Sequence, residues 1–178
     1  MPKVTWEKLI ESEVIIQTEM MKQLDQLYPQ IAEHVLDMIT VDKWHEIYLH
    51  AEILDESSNV YFYFNTVENG NFIYSHDIPD KYGVSEKIYD DLLLELQEKF
   101  EELRKIFIDN NQEAWTNLTL ILKYPGKLKI NYDYEDIIAS TVTPTQRQMI
   151  FEYRYLGLLP EKEKNRQFVE NYVDSQDK

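Results

Sequence analysis

Four histidines are the first side chains to test for chemistry in this chain. His45-Glu46 followed by His50 is superficially like a zinc protease motif, but that motif needs its two histidines four apart on one helix face. Here they are five apart in a segment that alternates like a strand, which sends them to opposite faces. His34 and His76 lack companions at ligand spacing, and metal ligands must converge. Structural or surface histidines are expected, with no metal and no cofactor. The chain contains no cysteine, so disulfides, thiolate metal sites and cysteine nucleophiles are excluded, which suits a reducing compartment. Its glycines, at 70, 83, 126 and 157, build neither a phosphate-cradling loop nor a nucleophile elbow. Ser85 and Thr143 sit where helix caps are expected rather than beside a base that would activate a hydroxyl. No catalytic residue is assigned.

Carboxylates remain. Asp133, Glu135 and Asp136 lie near a strand end and Asp90-Asp91 lie on a helix, so a small carboxylate-dependent hydrolase or a cation site stays open as an alternative. In a chain with 33 acidic residues and 18 basic ones, however, neighbouring acids arise by chance. The net charge of −15 repels nucleic acid and anionic membranes and attracts cationic partners. Asp91, Glu95, Glu98 and Glu102 are spaced four, three and four apart, which makes an acidic stripe on one helix face. Lys99 and Lys105 follow Glu95 and Glu101 at i+4 and are expected to neutralise part of it. The stripe reads either as a solvated face or as a docking surface for a basic partner. Tyr48, Tyr61 and Tyr63 are expected to share the outer face of a sheet, where tyrosine beside acid makes a protein-binding surface, although they could equally lie under a terminal helix. The candidate partner-binding set is therefore Asp91, Glu95, Glu98, Glu102, Tyr61, Tyr63, Asp133 and Glu135.

The elements that must position these residues follow from periodicity. Leu24, Leu27, Tyr28, Ile31, Val35 and Met38 recur at three and four, so residues 1–40 read as helical, with Pro29 introducing a kink. From Trp44 the period becomes two: Ile47, Leu49, Ala51 and Ile53 alternate with Glu46, Tyr48, His50 and Glu52, the pattern of a half-buried strand. Val60 to Phe64 predicts a second strand and Phe72 to Tyr74 a third, joined by an Asn69-Gly70 type I′ turn. A helix capped by Ser85 is expected to run to Asp109 and to bury Ile88, Leu92, Leu96, Phe100, Leu103 and Phe107, with Val84 and Tyr89 as a hydrophobic staple. Thr116 to Lys123 and Lys127 to Tyr134 predict two more strands, and Pro144 to Tyr172 two short helices broken near Gly157 and Pro160. Hairpin-linked strands with helices before, between and after them give the α+β class: an antiparallel sheet of about five strands covered by helices, in a single domain over 1–178. The first residues lack the features of a signal peptide, and nothing approaches the ~18 consecutive apolar residues of a membrane span. A cytoplasmic protein is expected.

From Gln26 to Tyr172 the chain resembles the YezG/EsaG-type family of bacterial immunity proteins, antitoxins of secreted nuclease toxins. The resemblance rests on Trp44 with the strand Ile47 to Ile53, Asp77-Ile78-Pro79, Tyr82-Gly83-Val84-Ser85 and Tyr89-Asp90-Asp91-Leu92. It continues through Glu102-Leu103-Arg104, Trp115, Gly126-Lys127, Tyr132-Asp133-Tyr134, Arg147, Tyr153-Arg154-Tyr155 and Gly157 with Pro160. Residues 1–20 depart from the family pattern and read as an N-terminal helical extension. The resemblance implies a cytoplasmic, non-enzymatic antitoxin associated with type VII secretion, whose partner is a cognate basic nuclease toxin domain. The net charge and the lack of an apolar span argue against direct nucleic-acid or membrane binding, and a homo-oligomer is left open. Besides the hydrolase, a self-associating scaffold is the competing reading.

Overall fold

The three-and-four spacing of the first forty residues forms a single helix, α1, over Trp6–Ile39. The computed structural model describes residues 6–178, with side chains from residue 18 onward. The side chains of the expected N-terminal extension over 1–20 thus lie almost wholly outside the described residues. Leu24, Leu27, Ile31, Val35 and Met38 are buried along one face, as the periodicity requires. Pro29 removes one amide donor yet sits on the exposed side, and the helix continues through it because Leu27 and Ile31 anchor both flanks.

Five strands follow the expected pattern: β1 Trp44–Ile53, β2 Ser58–Thr66, β3 Ile73–Tyr74, β4 Asn117–Lys123 and β5 Lys127–Asp133. They form one sheet in the order β3-β2-β1-β4-β5, with every neighbouring pair antiparallel. Two helices stand between β3 and β4: the short α2, Ile78–Tyr82, and the long α3, Glu86–Asp109. The class is α+β. Ile47, Leu49, Ala51 and Ile53 of β1 join Phe62 and Phe64 of β2 and Leu118, Leu120 and Leu122 of β4 in one core. This core also contains the apolar faces of α1 and α3.

Three local expectations are corrected. The strand β1 is not half-buried: His50 and Glu52 on its other face are buried too, with Glu52 Oε1 accepting from His50 Nε2 at 3.1 Å. The Asn69-Gly70 pair does not make a type I′ turn, since neither residue has positive φ. Asn69 Oδ1 instead accepts the Asn71 amide at 3.0 Å, and the Asn69 amide donates to Thr66 Oγ1 at 3.1 Å, so side chains close the connection over 67–72. On α3, Ile88 is exposed, while Tyr89 and Ile106 are buried beside Leu96, Phe100, Leu103 and Phe107. The buried face is thus turned from the expected one at its first turn. Ser85 occupies the N-cap position without a side-chain cap bond.

The chain divides into two compact units, the first ending at Glu135 and the second covering Asp136–Lys178. The second unit holds α4, Pro144–Leu156, and α5, Glu163–Gln176. Thr143 caps α4 as expected: its hydroxyl accepts the Gln146 amide at 3.2 Å, and the Gln146 side chain returns to the Thr143 amide at 2.9 Å. Gly157 ends α4 with φ of 69°, a left-handed conformation that glycine takes without a Cβ clash. The Arg154 guanidinium lies 5.9 Å from the Tyr172 ring centre, linking α4 to α5.

The revised α3 face is testable. Leu96→Ala, at a fully buried position, should lower stability in urea unfolding by about 2–5 kcal/mol. Ile88→Ala should stay within about 0.5 kcal/mol of the parent. A large loss from Ile88→Ala would restore the face expected from periodicity alone.

Candidate partner-binding surface

Because one face of α3 is fixed in the core, its opposite face must present whatever side chains the sequence supplies. Asp91, Glu95, Glu98 and Glu102 are all exposed there. At a rise of 1.5 Å per residue the row extends along roughly 16 Å of helix. The structure brings these four together as expected but assigns their counter-charges differently. Lys87 Nζ pairs with Asp91 Oδ2 at 2.6 Å, and Lys105 pairs with Asp109 rather than with Glu101. Glu101 accepts the Ser58 hydroxyl at 2.6 Å, tying α3 to the start of β2. His34 of α1 is buried, its Nε2 donating to the Leu92 carbonyl at 2.7 Å, and its Nδ1 lies 3.9 Å from Glu95 Oε2. Among the described residues neither Glu98 nor Glu102 forms an ion pair, so this half of the row faces solvent with its charge uncompensated.

Tyr61 and Tyr63 share the outer sheet face with Tyr48, as the register His50↔Tyr61 and Tyr48↔Tyr63 requires. Their expected exposure is corrected: they are only 3% and 5% exposed. They lie in an aromatic cluster. Tyr63 stacks on Tyr74 at 5.1 Å between ring centres, Tyr61 meets Tyr63 edge-on at 6.2 Å, and His50 lies 5.3 Å from Tyr61.

Asp133 and Glu135 are exposed but serve the backbone locally. Asp133 Oδ1 accepts the Glu135 amide at 2.7 Å, and the Glu135 carbonyl accepts the Thr116 hydroxyl at 2.7 Å. In the second unit Asp136 Oδ1 accepts the Ala139 amide at 3.1 Å. The carboxylates of Asp133 and Asp136 shape turns, and among the described residues no group of three or more His, Asp or Glu could hold a metal ion.

Two hollows of the first unit were not anticipated. One, of about 520 Å³, lies between the β1–β2 turn and α3; Asp55, Glu56 and Glu101 line it together with Arg104 and Lys105. Arg104 is the organising residue: Nε donates to the Trp115 carbonyl at 3.0 Å and Nη1 to Asp55 at 2.9 Å. The other, of about 360 Å³, is apolar and lies where α1 meets the β4–β5 hairpin, lined by Pro29, Ala32, Leu36, Trp44, Leu122 and Leu128 among others. Each joins side chains from elements distant in sequence, so no local spacing announces it.

The described residues form an α+β scaffold that presents an acidic helix face. Sequence comparison then gives the family: the pattern described as immunity protein YezG-like matches residues 24–170, and the chain belongs to this family. An immunity protein YezG of Bacillus spizizenii is 50% identical over 151 residues, covering 85% of this chain and 93% of that protein. One of Bacillus subtilis is 47% identical over 150 residues, covering 84% and 99%. A type VII secretion system protein EsaG of Staphylococcus aureus is 34% identical over 142 residues, covering 80% and 86%. The matched region begins at residue 24, leaving the part of α1 before Leu24 outside the family pattern. No helix among the described residues is long and apolar enough to cross a membrane.

The buried phenols make the fold sensitive to alkali. Burial pushes the Tyr89 hydroxyl up to about 12 from 10.0, with the Ser75 side chain partly opposing it. Burial raises Tyr132 too, and its contact with Tyr28 Oη at 2.7 Å adds to the rise. Each folded pKa exceeds its unfolded value, so these groups favour the fold fully below pH 10. That contribution is lost as pH climbs from 10 through the folded value. Thermal melts should therefore fall steeply above pH 10, and Tyr132→Phe should flatten that limb relative to its own melting point at pH 8. An unchanged slope in the variant would remove the Tyr28–Tyr132 pair as a contributor.

Proposed function

We propose that this protein acts in the cytoplasm by binding and neutralising a cognate secreted nuclease toxin, without catalysis of its own. Membership of the immunity protein family supports the antitoxin role. The relative EsaG bears the name of a type VII secretion system protein, which supports a partner exported by that route. The observation that carries the surface assignment is the exposed row on α3, with Glu98 and Glu102 uncompensated at its C-terminal half. A nuclease must present a cationic groove to phosphates, and an acidic helix face attracts such a groove at long range and competes with nucleic acid for it. Asp91, Glu95, Glu98 and Glu102 form the proposed contact row, with Asp133 and Glu135 as a second, turn-borne acidic site. Tyr61 and Tyr63 are buried, which supports reading them as packing residues rather than as direct contacts.

The test is the association rate with the purified nuclease domain of the cognate toxin. Glu98→Lys with Glu102→Lys should slow association about three- to tenfold at low salt, and the difference should shrink as salt shortens the screening length to roughly 8 Å at 0.15 M. Rates equal to the parent at low salt would reduce the row to a solvated helix face. No binding and no protection of nucleic acid by the parent would sink the antitoxin reading itself.

A further inference from the structure

The sheet has two edges of different character. At one end β3 is two residues long, too short to offer a ladder. At the other end β5 runs seven residues in unbroken register with β4, from Asn117↔Asp133 to Lys123↔Lys127, so its far side is a regular strand edge that no described strand pairs. The outward side chains of β5 are exposed, starting with Lys127 and ending with Asp133. A strand that begins with a cation and ends with an anion is complementary to itself when it runs antiparallel.

We infer that β5 is a self-association edge, on which a second copy of this chain adds its own β5 antiparallel about a two-fold axis at Ile130. In that register all seven residues pair. Lys127 stands opposite Asp133 of the second copy, twice by symmetry, and Lys129 stands opposite the neutral Asn131. Shifting the register by two residues toward the strand start sets Lys129 against its own copy, a like-charge pair. Shifting it the other way moves pairing beyond Asp133, where the chain has already turned: the Glu135 amide is bound by Asp133 and its carbonyl by Thr116. The lysines thus do two things. They deter indiscriminate pairing of the edge, as edge lysines do elsewhere, and they select one register of self-pairing. The result is a continuous sheet across two copies. The α3 acidic row belongs to a different element and stays free in this assembly, whereas Asp133 is shared between the β5 pairing and the second acidic site proposed for the toxin.

Sedimentation of the full chain without toxin tests the inference, at about 0.15 M salt so that repulsion between two copies of net charge −15 is screened. The parent should show a concentration-dependent dimer. Lys127→Asp and Asp133→Lys should each weaken it by roughly ten- to thirtyfold, because each puts two like-charge pairs across the axis. An equimolar mixture of the two variants should recover the dimer, since each then meets its opposite. Circular dichroism melts of both variants control for folding, the altered side chains being exposed. A parent that is monomeric at every concentration, or a dimer that both variants leave at full strength, would overturn the proposal. So would a mixture of folded variants that fails to reassociate.

Discussion

The structure depends on the burial of one face of α3 against α1 and the inner face of the sheet. Leu96, Phe100 and Leu103 are fully buried, and Tyr89, Ile106 and Phe107 nearly so. Fully burying a large apolar side chain stabilises by about 1.5–3 kcal/mol. The exposed row on the same helix places like charges at 91–95, 95–98 and 98–102, each pair unfavourable by about 0.2–0.5 kcal/mol on a helix surface. The apolar term is several times larger, so the helix tolerates an acidic face that its own local preferences oppose. Core packing therefore fixes which carboxylates point outward, and rigidly so, because both ends of the helix are held. His34 grips the Leu92 carbonyl near the start, while Arg104 reaches from the last turns to Trp115 and Asp55.

The sheet is constrained on both sides. Its inner face is aliphatic and phenyl, and its outer face around β1 and β2 carries His50, Glu52, Tyr61, Tyr63 and Asn65, all buried. Polar groups in such a setting must find partners. Glu52 has His50 at 3.1 Å, and the Asn65 side-chain oxygen accepts the Glu46 amide at 2.9 Å, which bridges the irregular step in the β1–β2 ladder between Trp44 and Ile47. A surface so committed to internal pairing is poorly suited to exchange its contacts for those of another protein. The helix face and the open β5 edge, where side chains are not so engaged, are better placed for that.

Periodicity made most of this fold legible in the sequence. The five strands, the long helices, the local hairpins and the Thr143 and Gly157 boundaries follow from local spacing and cap chemistry, which depend on neighbours in the chain, whereas the short α2 and the central pairing of β1 with β4 were not read. The resemblance, spread over short pieces in fixed order, carried the family. What stayed illegible depends on partners distant in sequence. The rotation of the first turn of α3 is set by what Tyr89 finds to pack on, not by the spacing that nominated Ile88. Tyr61 and Tyr63 are buried and have Tyr74 and His50 of neighbouring strands as ring partners, and alternation gives a side chain's face but not what covers it. The expected Lys99–Glu95 and Lys105–Glu101 pairs gave way to Lys87–Asp91 and Lys105–Asp109, because several acids lie within reach of each lysine.

The same reasoning separates the charge of the molecule from the charge of its surfaces. A net charge of −15 is a property of composition and by itself says only that copies repel and cations are drawn in. Its distribution is uneven. The edge strand β5 begins with two lysines, and α3 ends its acidic row with glutamates that no described residue compensates. An acidic protein that places cations on its one long open edge has a local exception to its own field. Such an exception allows close approach of a second acidic surface there and nowhere along the helix, while the helix keeps the field that a cationic partner would meet first. The helix row and the cationic start of β5 stand on separate elements of one core, so a partner on α3 leaves that start free, and Asp133 alone belongs to both proposed surfaces.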